Sequence, residues 1–193
     1  MVSGSRFPAL VELSLWGNPC KMGGTRRAKT AIEAINARCQ RNAATARQAI
    51  VDALTCGDQD TVVRLLARVQ GELNLNDLSL GGAAGKTTVR TLIGAVERST
   101  SVTEVFLRNT GIAGAACVQL LDALQRRAAV TTRVVLSENA LTDADAAAIG
   151  AALARNTRVR ALNLQKNALT TVGVTALLAG LERNDVLLTG IAI

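Results

Sequence analysis

The sequence predicts an α/β solenoid: a curved parallel sheet on the concave side, helices on the convex side, and extra helices in the amino-terminal third. Three observations carry this expectation. A nine-residue pattern of period-2 leucines closed by asparagine recurs along the chain. Matching helical segments separate its last copies, and the distance between copies is nearly constant.

The first copy is Leu10-Val-Glu-Leu13-Ser-Leu15-Trp-Gly-Asn18, and the cleanest is Val159-Arg-Ala-Leu162-Asn-Leu164-Gln-Lys-Asn167. Val102-Thr-Glu-Val105-Phe-Leu107-Arg-Asn-Thr110 and Thr131-Thr-Arg-Val134-Val-Leu136-Ser-Glu-Asn139 follow with conservative changes. Leu73-Asn-Leu75-Asn-Asp-Leu78 keeps the middle of the pattern, and Leu188-Thr-Gly-Ile191-Ala-Ile193 begins a sixth copy. From Leu78 to Thr110, Asn139 and Asn167 the steps are 32, 29 and 28 residues. Alternate leucines of a short strand point to one side. A helix then returns the chain to the next parallel strand, and the asparagine amide bonds the backbone where the chain turns away. This is the pattern of a leucine-rich repeat.

The connecting helices follow from 141–156 and 169–184, which parallel one another residue by residue. Thr142 or Asp143, and Thr170 or Thr171, are natural N-caps. Both segments end in Arg-Asn, where a cation meets the helix dipole and asparagine tolerates left-handed backbone. Asp143 and Asp145 read as capping residues rather than as a catalytic carboxylate pair. The amino-terminal third departs from this scheme. A helix pattern runs through Ala31-Ile32, Ala34-Ile35 and Cys39 to Arg41-Asn42, and two further helices are expected over 44–54 and 59–69. The expected organisation is the end of one repeat array at 1–42, a helical connector at 43–70, and a second array at 71–193.

Composition narrows the function. Hydrophobic residues are 49% and aromatics 2%, so aliphatic side chains and alanine must fill the core. The net charge of +7 is concentrated early: residues 1–50 carry eight basic groups against two acidic, leaving +1 for the rest. Lys21, Arg26, Arg27 and Lys29 form a basic patch that could steer an acidic partner or simply coat a solvated helix. A nucleic-acid-binding reading of this patch is not favoured, because no aromatic residues are interleaved with it.

The chain has no histidine, and its four cysteines lack metal-ligand spacing. Ser-His-Asp and Cys-His chemistry are excluded, a zinc site is not expected, and Cys39 and Cys117 read as small core residues. No cofactor and no catalytic residue is expected. Neither a secretory leader nor a membrane span is apparent, so the expected location is the cytoplasm, with the cytoskeleton or a cilium as candidate seats of a partner.

Residues 57–193 resemble the tropomodulin and leiomodin C-terminal domain, within the ribonuclease-inhibitor class of leucine-rich repeats. The residues that carry the resemblance are Val69-Gln-Gly-Glu-Leu-Asn-Leu-Asn-Asp-Leu78 and Ser101-Val-Thr-Glu-Val-Phe-Leu-Arg-Asn-Thr-Gly-Ile112. The resemblance implies the solenoid architecture and a protein-binding role near the cytoskeleton. In tropomodulins this domain binds actin at filament pointed ends, helped by a tropomyosin-binding region of which no counterpart is expected in this sequence. No actin-contact residue is carried over.

The outward positions of the repeats supply the candidate contacts: Trp16, Asn76, Phe106, Arg108, Val135 and Gln165, with Ser14, Asn74, Ser137 and Asn163 beside them. Two of the three aromatics fall on such positions. They are either binding anchors or covered by neighbouring strands and connector helices. The expected partner is a protein, cytoskeletal or part of a large assembly. The outer strands, Leu10–Leu15 and 186–193, each have an edge that invites self-association or capping by a neighbour.

One segment competes with this reading. Leu80-Gly81-Gly82-Ala83-Ala84-Gly85-Lys86-Thr87-Thr88 resembles a phosphate-binding P-loop between strand and helix. Counting back from Gly85-Lys86-Thr87, its obligatory first glycine falls on Leu80, which resists the tight turn. No later strand ends in an aspartate placed to help hold magnesium: the ends read Leu107-Arg108, Leu136-Ser137 and Leu164-Gln165. The favoured alternative is a connecting loop with Thr87 or Thr88 near the next helix cap. Lys86→Ala should therefore leave stability and partner binding nearly unchanged. A titration with fluorescent nucleotide and magnesium checks this: saturable binding that Lys86→Ala abolishes would overturn it.

Overall fold

The computed structural model describes residues 26–69, 71–125, 130–183 and 190–193, and no side chain at 26–32, 35, 36, 39, 83 or 84. Two units divide the chain, Met1–Ala49 and Ile50–Ile193. In the first unit the described residues are turns of one helix, α1 (Arg26–Cys56), whose last turns belong to the second unit. The predicted strand at Leu10–Leu15 lies outside the described residues.

A single α1 replaces the two helices predicted before and after Arg41-Asn42. No glycine or proline interrupts residues 26–56, and Ala43, Ala44 and Ala46 are strong helix formers, so one asparagine does not stop the helix. Thr45 Oγ1 folds back onto the Arg41 carbonyl at 2.9 Å. The stop comes at Gly57, whose φ of +76° disfavours any side chain. Its N–H donates to the Leu54 carbonyl at 3.2 Å, and Asp58 N–H donates to the Ala53 carbonyl at 3.0 Å, a Schellman closure. Asp58 then caps α2 (Gln59–Leu66), its carboxylate accepting from Thr61 N–H at 3.0 Å. This helix ends at Leu66, three residues short of the predicted limit.

From there strand and helix alternate: β1 (Gly71–Asn74), α3 (Gly82–Arg98), β2 (Val102–Phe106), α4 (Gly114–Leu124), β3 (Arg133–Val135), α5 (Asp143–Leu153), β4 (Ala161–Asn163), α6 (Thr171–Leu181) and β5 (Gly190–Ala192). The five strands pair in parallel in chain order, as the repeat predicts. Leu73, Val105, Val134, Leu162 and Ile191 stand side by side in one row. Leu75, Leu107, Leu136 and Leu164 form the next inward row, and Leu80, Ile112 and Leu141 a third. Each fully buried leucine contributes roughly 1.5–3 kcal/mol of transfer free energy. Ile50, Ala53, Leu54, Val62 and Leu66 join the same core.

The asparagines do more than close their own turns. Asn139 is buried, and its Oδ1 accepts from Thr110 N–H (2.9 Å), Thr110 Oγ1 (3.0 Å) and Gly111 N–H (2.9 Å). Its Nδ2 donates to the Leu107 carbonyl at 2.7 Å and to the Ser137 carbonyl at 3.2 Å. All but the last of these bonds reach the preceding repeat. Asn167 repeats the arrangement one step on, accepting from Asn139 N–H and Leu141 N–H and donating to the Leu136 and Leu164 carbonyls.

The helix ends are tied in the same direction. Asn156 was expected to adopt left-handed backbone at the end of α5, but it is not among the residues of positive φ. Instead its Nδ2 donates to the Leu121 carbonyl of α4 at 2.6 Å, and its Oδ1 accepts from Arg158 and Val159 N–H. Arg155 beside it grips Asp122 of α4 with 2.8 and 3.1 Å contacts. At the opposite ends, Thr142 and Asp145 form a capping box on α5. Asp143 accepts instead from Thr170 N–H and Thr170 Oγ1, the N-cap of α6.

Asn139→Ala would strand the buried Thr110 amide and take a partner from the Gly111 amide, while the Leu107 carbonyl keeps the Thr110 hydroxyl. It should cost about 1–3 kcal/mol, the scale of one buried orphan. Urea unfolding checks this against Asn167→Ala, which is half-buried and should cost less. Equal, sub-kilocalorie losses would refute the role given to Asn139.

Candidate protein interface on the sheet face

The residues between the inward leucines build the open face of the sheet. Across the strands, the register places Glu72, Glu104, Arg133, Ala161 and Gly190 in one row, and Asn74, Phe106, Val135, Asn163 and Ala192 in the next. Asn76, Arg108, Ser137 and Gln165 follow beyond the strand ends. After them come Asp77, Asn109, Glu138 and Lys166, all in left-handed backbone with φ between 52° and 63°. Asparagine and aspartate tolerate that geometry, whereas at Glu138 and Lys166 it costs roughly 1–2 kcal/mol each.

Those turns connect neighbouring repeats through their side chains. Asn109 Nδ2 donates to Asp77 Oδ1 at 2.8 Å, and Lys166 Nζ donates to Glu138 Oε1 at 2.8 Å. Arg108 Nε lies 3.0 Å from the other Glu138 oxygen, so one carboxylate bridges cations of two repeats. The hydrogen bonds from Lys166 and then Arg108 hold the Glu138 carboxyl below the usual range. Phe106 is half-buried, with the Arg133 guanidinium 5.9 Å from its ring centre. Arg133 also meets Glu104 at 3.4 Å, an ion pair in which Glu104 Oε2 makes no hydrogen bond.

The candidate contacts divide accordingly. Phe106, Arg108 and Gln165 present surface, and Asn76 is half-buried, its Oδ1 accepting from Arg108 N–H at 2.9 Å. Val135 requires a correction: it is only 7% exposed. It sits on the central strand between Phe106 and Asn163, and its short side chain lies below them. Ser137 is likewise covered. Trp16 and Lys21 lie outside the described residues, as do the side chains of Arg26, Arg27 and Lys29 on α1. The ionic bridge through Glu138 was missed from sequence, because its partners lie 28 and 30 residues away. The available signal was the shared repeat position of Glu138 and Lys166.

The P-loop-like segment is not a loop. α3 begins at Gly82 with Gly81 as N-cap, so Lys86 and Thr87 lie past the first turn, where backbone amides are committed to the helix. Thr87 and Thr88 are therefore not near a cap, as had been expected. Thr87 instead accepts from Thr91 Oγ1, and Thr88 is buried. Gly85 has a packing reason: a Cβ there would collide with the Leu80 carbonyl. Burial, and then the charge of Asp145, push the Cys117 thiol up to about 12, so it is no nucleophile. Among the described residues no cluster of three or more acidic or cysteine side chains could hold a metal ion, and no helix is long and apolar enough to cross a membrane.

Taken together, the repeat register, the asparagine ladder and the single parallel sheet define a leucine-rich-repeat solenoid. Its resemblance to the tropomodulin and leiomodin C-terminal domain extends to solved structures. The Leiomodin-1 actin-binding site 2 matches with a TM-score of 0.54 and 18% identity, over 74% of this chain and 76% of that one. The tropomodulin C-terminal domain of Caenorhabditis elegans matches with a TM-score of 0.52 and 18% identity, over 76% of this chain and 81% of that one. No family model and no curated protein matches the sequence.

Glu138 and Asp143 both have lowered pKa values, Asp143 because Thr170 hydrogen bonds favour its charged form. A lowered folded pKa stabilises the fold above the unfolded value and ceases to do so as pH falls through the folded value. Stability should therefore hold at neutral pH and decline as pH drops through and below the ordinary carboxylate range. Urea midpoints measured down the acid limb check this. Glu138→Gln should shallow the decline, and an unchanged limb would contradict the assignment.

Proposed function

We propose that this chain is a non-catalytic protein-interaction module whose open sheet face seats a protein partner, with actin or an actin-associated protein as the first candidate. The observation that carries the reading is the face itself. Phe106 stands half-buried beside the Arg133 guanidinium, and on the same face Arg108 and Lys166 are tied to one carboxylate, Glu138. Aromatic and arginine side chains held rigid on an otherwise small, polar surface are the usual make-up of interface anchors, because little rotamer entropy remains to be lost on binding. The fold it shares with a structure described as an actin-binding site supports the choice of partner. A cytoplasmic, cytoskeletal location follows from the same reading.

Co-sedimentation with actin filaments, together with a binding titration on monomeric actin, tests it. The chain should bind one of the two forms. Phe106→Ala and Arg108→Glu should each weaken that binding about tenfold or more, as expected for anchors worth over 1 kcal/mol. Arg108→Gln, which removes the cation without setting a second carboxylate beside Glu138, should weaken binding as well and keep the circular dichroism and urea midpoint near wild type. Failure to bind either form would remove actin as partner. Binding insensitive to both substitutions would remove the sheet face as the docking surface.

A further inference from the structure

Each helix from α4 onward packs along one flank of the helix before it, and that flank can be read by position. The fourth, eighth and eleventh residues of α4 are Cys117, Leu121 and Leu124, and those of α5 are Ala146, Gly150 and Leu153. All six are buried. At Gly150 the α6 backbone comes so close that an added Cβ would lie 3.0 Å from the Ala176 carbonyl and from Leu177 Cα. The same positions of α6 carry Val174, Leu178 and Leu181. There the cover is lost: Val174 and Leu181 are half-buried, and Leu178 is 47% exposed where Leu121 of α4 is fully buried. With Thr171 at its head, this flank of α6 is an apolar stripe that carries no charge, whereas a helix face built for water carries polar and charged side chains. Of the four large apolar side chains exposed among the described residues, Val172, Leu178 and Ile193 belong to this end of the array.

We propose that this flank docks a second copy of the chain, the two α6 helices lying antiparallel across a two-fold axis. The stripe is self-complementary. Positions 171, 174, 178 and 181 are symmetric about residue 176. Antiparallel alignment therefore sets Val174 against Leu178 of the other copy and Thr171 against its Leu181, each pair occurring twice, as an isologous contact requires. Charge selects the same direction. Glu182 directly follows the stripe and falls over the amino-terminal end of the opposing α6, where the helix dipole favours an anion. A parallel alignment would instead set the two Glu182 carboxylates side by side. The contact uses none of the sheet-face residues, so the pair presents two copies of that face and gains avidity for a partner with repeated sites.

Sedimentation equilibrium of the full chain, from micromolar to submillimolar concentration, reads the association. The mass should rise from one chain towards two and stop there, because a closed two-fold contact cannot propagate. High salt should leave it in place, since the stripe is apolar and only exposed charges are screened. Leu178→Glu should weaken association about tenfold or more by setting a carboxylate in each apolar pair, and Val174→Lys should do the same. Mixing the two variants tests the register. One pair then joins the introduced lysine to the introduced glutamate and the other is wild type, so a one-to-one complex should form where neither variant associates alone. Should Val174→Lys lose its fold by circular dichroism, isotope-filtered Overhauser contacts between Val174 and Leu178 methyls of differently labelled wild-type copies report the same register. A chain that stays monomeric, oligomers that grow beyond two, or association that high salt abolishes would overturn the proposal. So would association indifferent to Leu178→Glu, which would point to the β5 edge, or the absence of both the mixed complex and the methyl contacts.

Discussion

A buried asparagine amide placed between two repeats is the constraint on which the rest of this array depends. Parallel strands as short as three residues offer few backbone bonds of their own, and the turns that follow them bring amides and carbonyls into an apolar interior. Such groups cost about 1–3 kcal/mol each when left unpaired. Asn139 satisfies the turn after β2 and Asn167 the turn after β3, so each repeat completes the one before it. The leucine rows supply the larger driving force. The amides fix the register in which those rows can stack.

The same backward reach recurs where the helices end. Asn156 satisfies the Leu121 carbonyl, Arg155 holds Asp122, and Asp143 holds the start of α6. With both rims and the turns tied, outward side chains such as Phe106 and Gln165 are not needed to fill the leucine core, whereas Val135 and Asn76 still serve the sheet. That separation is why a sheet with so regular an interior can carry an irregular exterior, with an arginine over a phenylalanine on two strands and alanine or glycine on the next pair.

Much of the fold was legible because the solenoid is written in single positions. The leucine spacing identifies all five strands and the closing asparagine two of them, β3 and β4, and Thr142 and Thr170 announce their caps. What failed is equally specific. Asn42 was read as a helix stop although the alanines around it outweigh one asparagine. Thr87 was placed near a cap although Gly81 already served. The face was only partly legible: Phe106 and Arg108 could be assigned outward by alternation, yet nothing in the sequence says that Val135 lies below its neighbours. Contacts such as Lys166 to Glu138 depend on the stacking of whole repeats, and sequence reveals them only once the register is known.

The asparagine ladder is incomplete at its start. The positions equivalent to Asn139 and Asn167 are Thr110 and Leu78, and neither amide-bearing link is present there. The turn after β1 is secured instead by Leu80 N–H on the Thr110 carbonyl and by Asn109 on Asp77, the latter exposed to water. The joint between β1 and β2 is therefore held by its longer strand pairing and by bonds on the water-facing side, where the later joints use a buried amide.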